Sequence, residues 1–214
     1  MAEEEPIERH SGPDRLIHWT HALFMALLLI TGWGIYSGGY FFSDYATNLS
    51  IHMISGFGIL LVSIVLTLYF WTVDRDEFRL TFITPADIMD FLTIALNFLG
   101  FTKKYPEFHV WDSKKKKYIK KYHPALKMIH WGDMAMILVM AITGFGLYYG
   151  RGNVLGFLSN YWSATLIRTV HLAGFFYFVF ALMAHLYLSL IPANFHIVKS
   201  MINGKDTGED TVRK

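Results

Sequence analysis

Four stretches of the chain, about residues 16–36, 51–71, 125–149 and 163–191, are each apolar enough and long enough to cross a bilayer, which takes roughly 20 helical residues. In hydrocarbon no water satisfies the backbone, so a spanning segment of this length has to be helical. The expected fold class is therefore all-α: an integral membrane four-helix bundle forming one domain over residues 1–214. Composition supports a membrane chain, with 53% apolar and 17% aromatic residues, against about 45–50% apolar in a soluble domain.

Other classes drop out. There is no cysteine, hence no disulfide, no thiolate-held iron–sulfur cluster and no covalently attached c-type haem. The start, "MAEEEPIERHSGPDR", lacks the basic opening and small-residue cleavage site of a signal peptide. A fifth apolar run, "TPADIMDFLTIALNFLGF" at residues 84–101, is short and carries Asp87 and Asp90 early. Thr84 as N-cap, Pro85 at the first helical position and Asp87 three residues after the cap predict a helix start. This helix is expected at the membrane interface or against the bundle.

The loops set the orientation. The link over residues 72–124 holds Lys103, Lys104, Lys114, Lys115, Lys116, Lys117, Lys120 and Lys121, whereas the first link has no Lys or Arg and the third has Arg151. Positive charge marks the cytoplasmic side. A multi-pass protein of the cytoplasmic (inner) membrane is expected, with both termini and the 72–124 loop in the cytoplasm.

The chain repeats itself. "LIHWTHALFMALLLITGWGIYSG" from Leu16 and "MIHWGDMAMILVMAITGFGLYYG" from Met128 share IHW, TG, a Gly two residues on, a Tyr and a final Gly in one ungapped register. "IHMISGFG" from Ile51 and "VHLAGFF" from Val170 match less closely. The unit is a two-helix hairpin used twice.

Histidines inside spans face the bundle interior and are functional candidates. His171 and His185 are fourteen residues apart, just under four turns and about 21 Å of rise, so one metal cannot bridge them but two stacked cofactors can use one each. Depth pairs His18 with His185 on the cytoplasmic side and His52 with His171 on the periplasmic side. Two bis-histidine levels suit two b-type haems, which take axial imidazoles within an apolar core. Arg15 and Arg168 each precede a ligand by three residues, about one turn nearer the surface, where a haem propionate emerges; flanking charge is the alternative for Arg15. Gly56 and Gly174, one turn from His52 and His171, are expected to make room for a porphyrin, while Gly32 and Gly144 let helices approach. His21 is an alternative ligand. His130, at the repeat position of His18, could ligate, contact a propionate, serve a quinone or simply pack. Asp133 is a possible proton carrier, and His10, His109 and His196 are expected on the surface.

With "DRLIHWT" opening the first span, His52 opening the second, Tyr122 and Lys127 in a Y-x-x-x-x-K before the third, the His171/His185 pair and "VKSMINGK" after the fourth, the chain resembles the cytochrome b (gamma) subunit of respiratory formate dehydrogenases, and more loosely that of membrane-bound nickel–iron hydrogenases. The resemblance covers nearly the whole chain. It implies two haem b, with axial roles on His18, His52, His171 and His185. It further implies a quinone (menaquinone or ubiquinone) site near the cytoplasmic haem, built partly from the loop "YHPALK". Where the formate dehydrogenase pattern has Asn, Gly and Gln, this chain has His123, Ala125 and Leu126; His123 could hydrogen-bond a quinone carbonyl and pass a proton.

The reading is thus a membrane-anchor subunit of a multisubunit oxidoreductase, receiving electrons from a periplasmic iron–sulfur partner. A catalytic molybdenum or tungsten subunit would make it formate dehydrogenase-like, a nickel–iron subunit hydrogenase-like. Whether the chain is itself an enzyme is open. A stand-alone di-haem cytochrome oxidising superoxide and a haem-free carrier using the histidines directly are the competing classes; nucleic acid is not an expected partner. Partner substrate, direction of electron flow, quinone type and oligomeric state are not written in the residues.

Overall fold

A computed structural model describes residues 7–206 and 212–213; the acidic opening at residues 1–6 lies outside them. Four long helices meet the length and hydropathy of membrane spans: α1 (Gly12–Ser37), α2 (Tyr45–Thr72), α5 (Pro124–Tyr149) and α6 (Ala164–Leu190). Between the second and third spans come α3 (Arg75–Thr81) and α4 (Pro85–Phe98), and after the fourth comes α7 (Phe195–Asn203).

Two helices start ahead of their apolar runs because polar caps lie there. The Ser11 amide donates to Asp14 Oδ2 at 3.0 Å while the Asp14 amide donates to Ser11 Oγ at 3.3 Å, a reciprocal cap. At α2, Asp44 Oδ1 accepts from the Thr47 amide at 2.8 Å. Hydropathy locates the part of a helix in lipid, and caps locate its end. The expected start of α4 is present in full: Thr84 Oγ1 accepts from the Asp87 amide and Asp87 accepts from the Thr84 amide, with Pro85 first in the helix. An angle of 47° separates α3 from α4.

The chain divides into two compact units. One comprises residues 16–67 and 132–186, the middles of the four spans. Its fully buried centre is Ile59, Ile137 and Phe178, with Phe24, Leu28 and Met140 packed around them, so all four helices contribute. The outward faces are apolar and bare, as at Leu61 (63% exposed) and Phe180 (66%), which is the pattern of helices solvated by lipid.

The other unit comprises residues up to 15, 68–131 and from 187 on. It adds short strands that hydropathy did not announce. β1 (Ile7–Glu8) pairs antiparallel with β4 (Lys205–Asp206), and β2 (Val110–Asp112) pairs antiparallel with β3 (Lys117–Lys120) and parallel with β5 (Val212–Arg213). Asp112 Oδ1 accepts from the Lys114 and Lys115 amides, each at 3.0 Å, and turns the β2–β3 hairpin.

This unit is held by buried charge rather than apolar mass. Arg9 Nη1 donates to Asp206 Oδ2 at 3.0 Å, with both side chains buried. Arg9 Nη2 donates to the Lys121 carbonyl at 2.7 Å. Lys121 Nζ donates to Glu77 Oε1 at 2.6 Å, and the Tyr122 hydroxyl donates to the same oxygen. Burial is the leading influence on Lys121 and lowers its pKa, with Glu77 opposing that shift. Lys127 Nζ donates to Asp87 at 2.9 Å and to the Phe82 carbonyl at 3.2 Å, and Trp131 Nε1 donates to the Thr81 carbonyl at 2.9 Å, tying the α3–α4 bend to the start of α5.

The expected surface positions of His10, His109 and His196 are corrected here. His10 and His109 are buried, at 7% and 6% exposure, and the His196 side chain is nearly so. His109 Nδ1 lies 2.9 Å from both Arg9 Nη2 and the Lys121 carbonyl. Residue types alone place histidines of a polar loop outside; partners far away in the chain bring them in.

Asp206→Ala leaves the Arg9 guanidinium buried without its counter-ion. Breaking one side of such a pair costs on the order of 3–5 kcal/mol. A lowered thermal midpoint in detergent is expected, with partial recovery in the Arg9→Met/Asp206→Ala double variant, as read by scanning fluorimetry.

Candidate functional site

In the four-helix unit, two pairs of imidazoles face each other. The His18 and His185 rings have centroids 6.2 Å apart at an interplanar angle of 38°. The His52 and His171 rings have centroids 6.3 Å apart at 64°. These are the pairs that depth along the helices brings together. On α6 the two levels are separated by about 21 Å of helical rise.

Each gap is of the size that would let a metal ion between the rings take a nitrogen from each. A metal–imidazole bond of about 2 Å on either side, plus the half-ring from nitrogen to centroid, fills a gap of this size. Among the described residues no cluster of three or more His, Cys, Asp or Glu side chains forms a site for a bare ion. Two nitrogens per level leave the remaining positions of an octahedral iron to a macrocycle, which is the donor set of a bis-imidazole haem.

Polar satisfaction supports the same chemistry. His52 Nδ1 is 2.9 Å from Thr31 Oγ1, and His171 Nδ1 is 2.8 Å from Thr143 Oγ1. Each threonine already donates its one hydroxyl proton to its own helix, Thr31 to the Leu27 carbonyl at 2.6 Å and Thr143 to the Val139 carbonyl at 2.7 Å. The hydroxyl oxygens are then acceptors, so each Nδ1 must carry the hydrogen and donate it. That tautomer leaves the Nε2 lone pair of His52 and of His171 free to bind a metal.

The residue after each threonine is a glycine against the same ring. A Cβ on Gly32 would stand 3.3 Å from His52 Cε1, and one on Gly144 would stand 3.4 Å from His171 Cε1. The helix-approach reading of Gly32 and Gly144 thereby gains a specific object: each lets its helix come up against an imidazole. Gly56 and Gly174, expected to make room for a porphyrin, have different surroundings. Gly56 has only Leu28 Cδ2 near, at 3.9 Å, whereas Gly174 is covered by the thioethers of Met140 and Met136. Both are flexible, adaptable side chains.

The remaining candidates take separate places. Arg15 donates to the Ile202 carbonyl and, at 3.4 Å, to that of Ser11. Arg168 is exposed, one turn before His171. His130 packs edge-on against Trp131, centroids 5.8 Å apart. The Tyr177 hydroxyl, seated on Gly132, is hydrogen-bonded to Asp133.

His123 is buried against Phe108, ring centroids 4.5 Å apart, and caps α5: its Nδ1 accepts from the Ala125 amide at 3.1 Å, with Pro124 first in the helix. Burial lowers its pKa to about 4. Near neutral pH it is therefore an uncharged ring with Nε2–H to donate.

The threonines at these rings are the residues that pattern reading passed over. Their signal was present as the TG shared by both copies of the repeat.

A family model described as prokaryotic cytochrome b561 matches residues 9–204. The chain is also 28% identical over 207 residues to the F420 non-reducing hydrogenase II cytochrome subunit of Methanosarcina mazei, an alignment covering 84% of this chain and 74% of that protein.

Gly144→Val forces a branched side chain into the His171 ring. Haem bound on reconstitution should fall relative to wild type, read by the pyridine haemochrome. In the second unit, burial holds His123 and His109 neutral, with pKa values lowered to about 4 and about 3. Their stability contribution is full above the ordinary value of about 6.5 and drains as pH falls toward 4, on the order of 1 kcal/mol per pH unit per ring. The thermal midpoint should drop across that window, and His123→Gln should flatten the drop.

Proposed function

The chain belongs to the prokaryotic cytochrome b561 family, and we propose from that premise that it is the membrane-anchoring cytochrome b of a multisubunit, hydrogenase-type oxidoreductase. It takes electrons from an iron–sulfur partner on the periplasmic side and delivers them to a quinone on the cytoplasmic side. The name of the Methanosarcina mazei relative, a hydrogenase cytochrome subunit, favours a hydrogenase catalytic partner over a formate dehydrogenase one.

Two haem b are held, one by His52 and His171 and one by His18 and His185. Bound haem supplies reversible one-electron transfer, and the bundle supplies axial nitrogens, a dry interior and contacts that tune potential. The single observation that carries the reading is the pair of facing imidazole couples, with centroid gaps of 6.2 and 6.3 Å, at the two ends of α6.

The residues of the chain divide the remaining work. Thr31 and Thr143 fix the tautomer and the plane of two ligands. Gly32 and Gly144 allow that approach. The lysine-rich 72–124 loop and both termini face the cytoplasm, as the charge bias of the loops argues. His123 offers a neutral Nε2–H to a quinone carbonyl, and Arg168 a cation to a propionate.

The purified protein should contain two haem b per chain. His171→Ala and His185→Ala should each retain one, with different reduced-minus-oxidised maxima. A wild type without b-type absorbance, or a His171→Ala protein that keeps both haems, would overturn the assignment. Purification in mild detergent from the native host should yield a nickel–iron subunit; a molybdenum subunit in its place would return the complex to the formate dehydrogenase type.

A further inference from the structure

The two imidazole pairs are not equivalent. In the His52–His171 pair both Nδ1–H groups end on a threonine hydroxyl, at 2.9 and 2.8 Å. Both threonines are buried, at 0% and 2% exposure. Among the described residues neither ring of the His18–His185 pair makes a hydrogen bond of this kind. The difference follows from the fold. Thr31 lies late in α1 and His52 early in α2; Thr143 lies late in α5 and His171 early in α6. Each hairpin therefore brings its threonine to the opening of its own second helix, and the duplicated hairpin delivers two such contacts to one level. His18 and His185 stand at the other ends of their helices, where neither hairpin has a counterpart of this contact.

A hydrogen bond from Nδ1–H into an oxygen pushes electron density onto Nε2 and makes the imidazole a stronger donor. The threonine oxygen is a better acceptor than a free hydroxyl, because its own proton is committed to a backbone carbonyl and the two bonds polarise each other. Stronger donation from both axial nitrogens stabilises ferric over ferrous iron.

We infer that Thr31 and Thr143 are positioning residues that hold the haem of the His52–His171 level at a lower midpoint potential than the haem of the His18–His185 level. The inference rests on the two-haem reading above and goes beyond it, assigning the order of the two potentials and the residues that set it. An electron entering at the His52–His171 level then moves downhill to the other level.

The test is a potentiometric titration of the purified protein followed at the b-type bands, with ferric-state electron paramagnetic resonance on the same samples. Wild type should show two separated midpoints. Thr31→Val and Thr143→Val, which keep the shape and remove the acceptor, should each move the lower midpoint upward and shift one low-spin ferric signal, leaving the other midpoint in place. Thr31→Ser and Thr143→Ser should restore the wild-type values. Val variants with both midpoints unmoved would overturn the inference, as would an upward shift of the higher midpoint alone. Loss of one haem in both Val variants, with Ser variants also displaced from wild type, would reduce the threonines to packing and overturn it too. Absence of b-type absorbance in the wild type would instead strike the haem reading itself, and is separable from all of these outcomes.

Discussion

A polar ring in hydrocarbon has to satisfy every nitrogen it carries, and that requirement governs the four-helix unit. Water is absent, so an imidazole inside the bundle needs a partner for its N–H and a use for its lone pair. Thr31 and Thr143 provide the first at His52 and His171, accepting at 2.9 and 2.8 Å. The facing ring, with its centroid 6.2 or 6.3 Å away, leaves room for a metal that would use the second. Once both ends of each ring are fixed, the helices carrying them have little freedom: the glycine that lets α1 reach His52 has to lie one residue beyond Thr31, and likewise Gly144 beyond Thr143. The TG dipeptide is thus a single device, a hydroxyl to hold the ring and a missing side chain to admit it.

Much of this was legible in the residues, and what was missed has a physical explanation. Hydropathy locates spans because the bilayer imposes a length. The start of α4 at Thr84 was readable because a capping box is local. Depth pairs the histidines because helical rise is fixed. Rise, however, gives level without azimuth. Gly32 and Gly144 were legible only as helix contacts, because the rings they admit belong to the neighbouring helix, and nothing along one helix says which face meets which. His109 was missed for a different reason. Its burial depends on Arg9 and Lys121, and Arg9 depends in turn on Asp206, nearly two hundred residues away, a distance over which local pattern carries no information.

The second unit solves its own problem with charge. It is cut from three separate pieces of the chain and has few fully buried apolar side chains, Ile7 and Val110 among them. Paired ions are poor sources of net stability but strict ones about geometry, because every member must be satisfied at once. Arg9, Asp206, Lys121 and Glu77 bind the segment before α1, the strand β4 after α7 and the lysine-rich loop into one arrangement that a slide of any strand would break. Lys121 shows how composition can mislead: it reads as one of many surface lysines, yet it is buried and paired, while Lys117 and Lys120 nearby make exposed bridges of little energetic weight.

The repeat also explains why one histidine is left over. Aligned helix by helix, the two hairpins match throughout one level: Thr31 with Thr143, Gly32 with Gly144, His52 with His171. At the other level they diverge. The first hairpin has His18 opening α1, and its second helix has Leu66 where α6 has His185. The second hairpin keeps His130 opposite His18 in the alignment and adds His185. A pseudo-twofold pair can be built from equivalent positions where both hairpins kept them. The other pair has to cross, joining the start of the first hairpin to the end of the second. His130 is the equivalent position that crossing leaves unused. The repeat relates one hairpin to the other and not one level to the other, so the levels differ even where the hairpins match: the TG dipeptides of both copies serve the His52–His171 level.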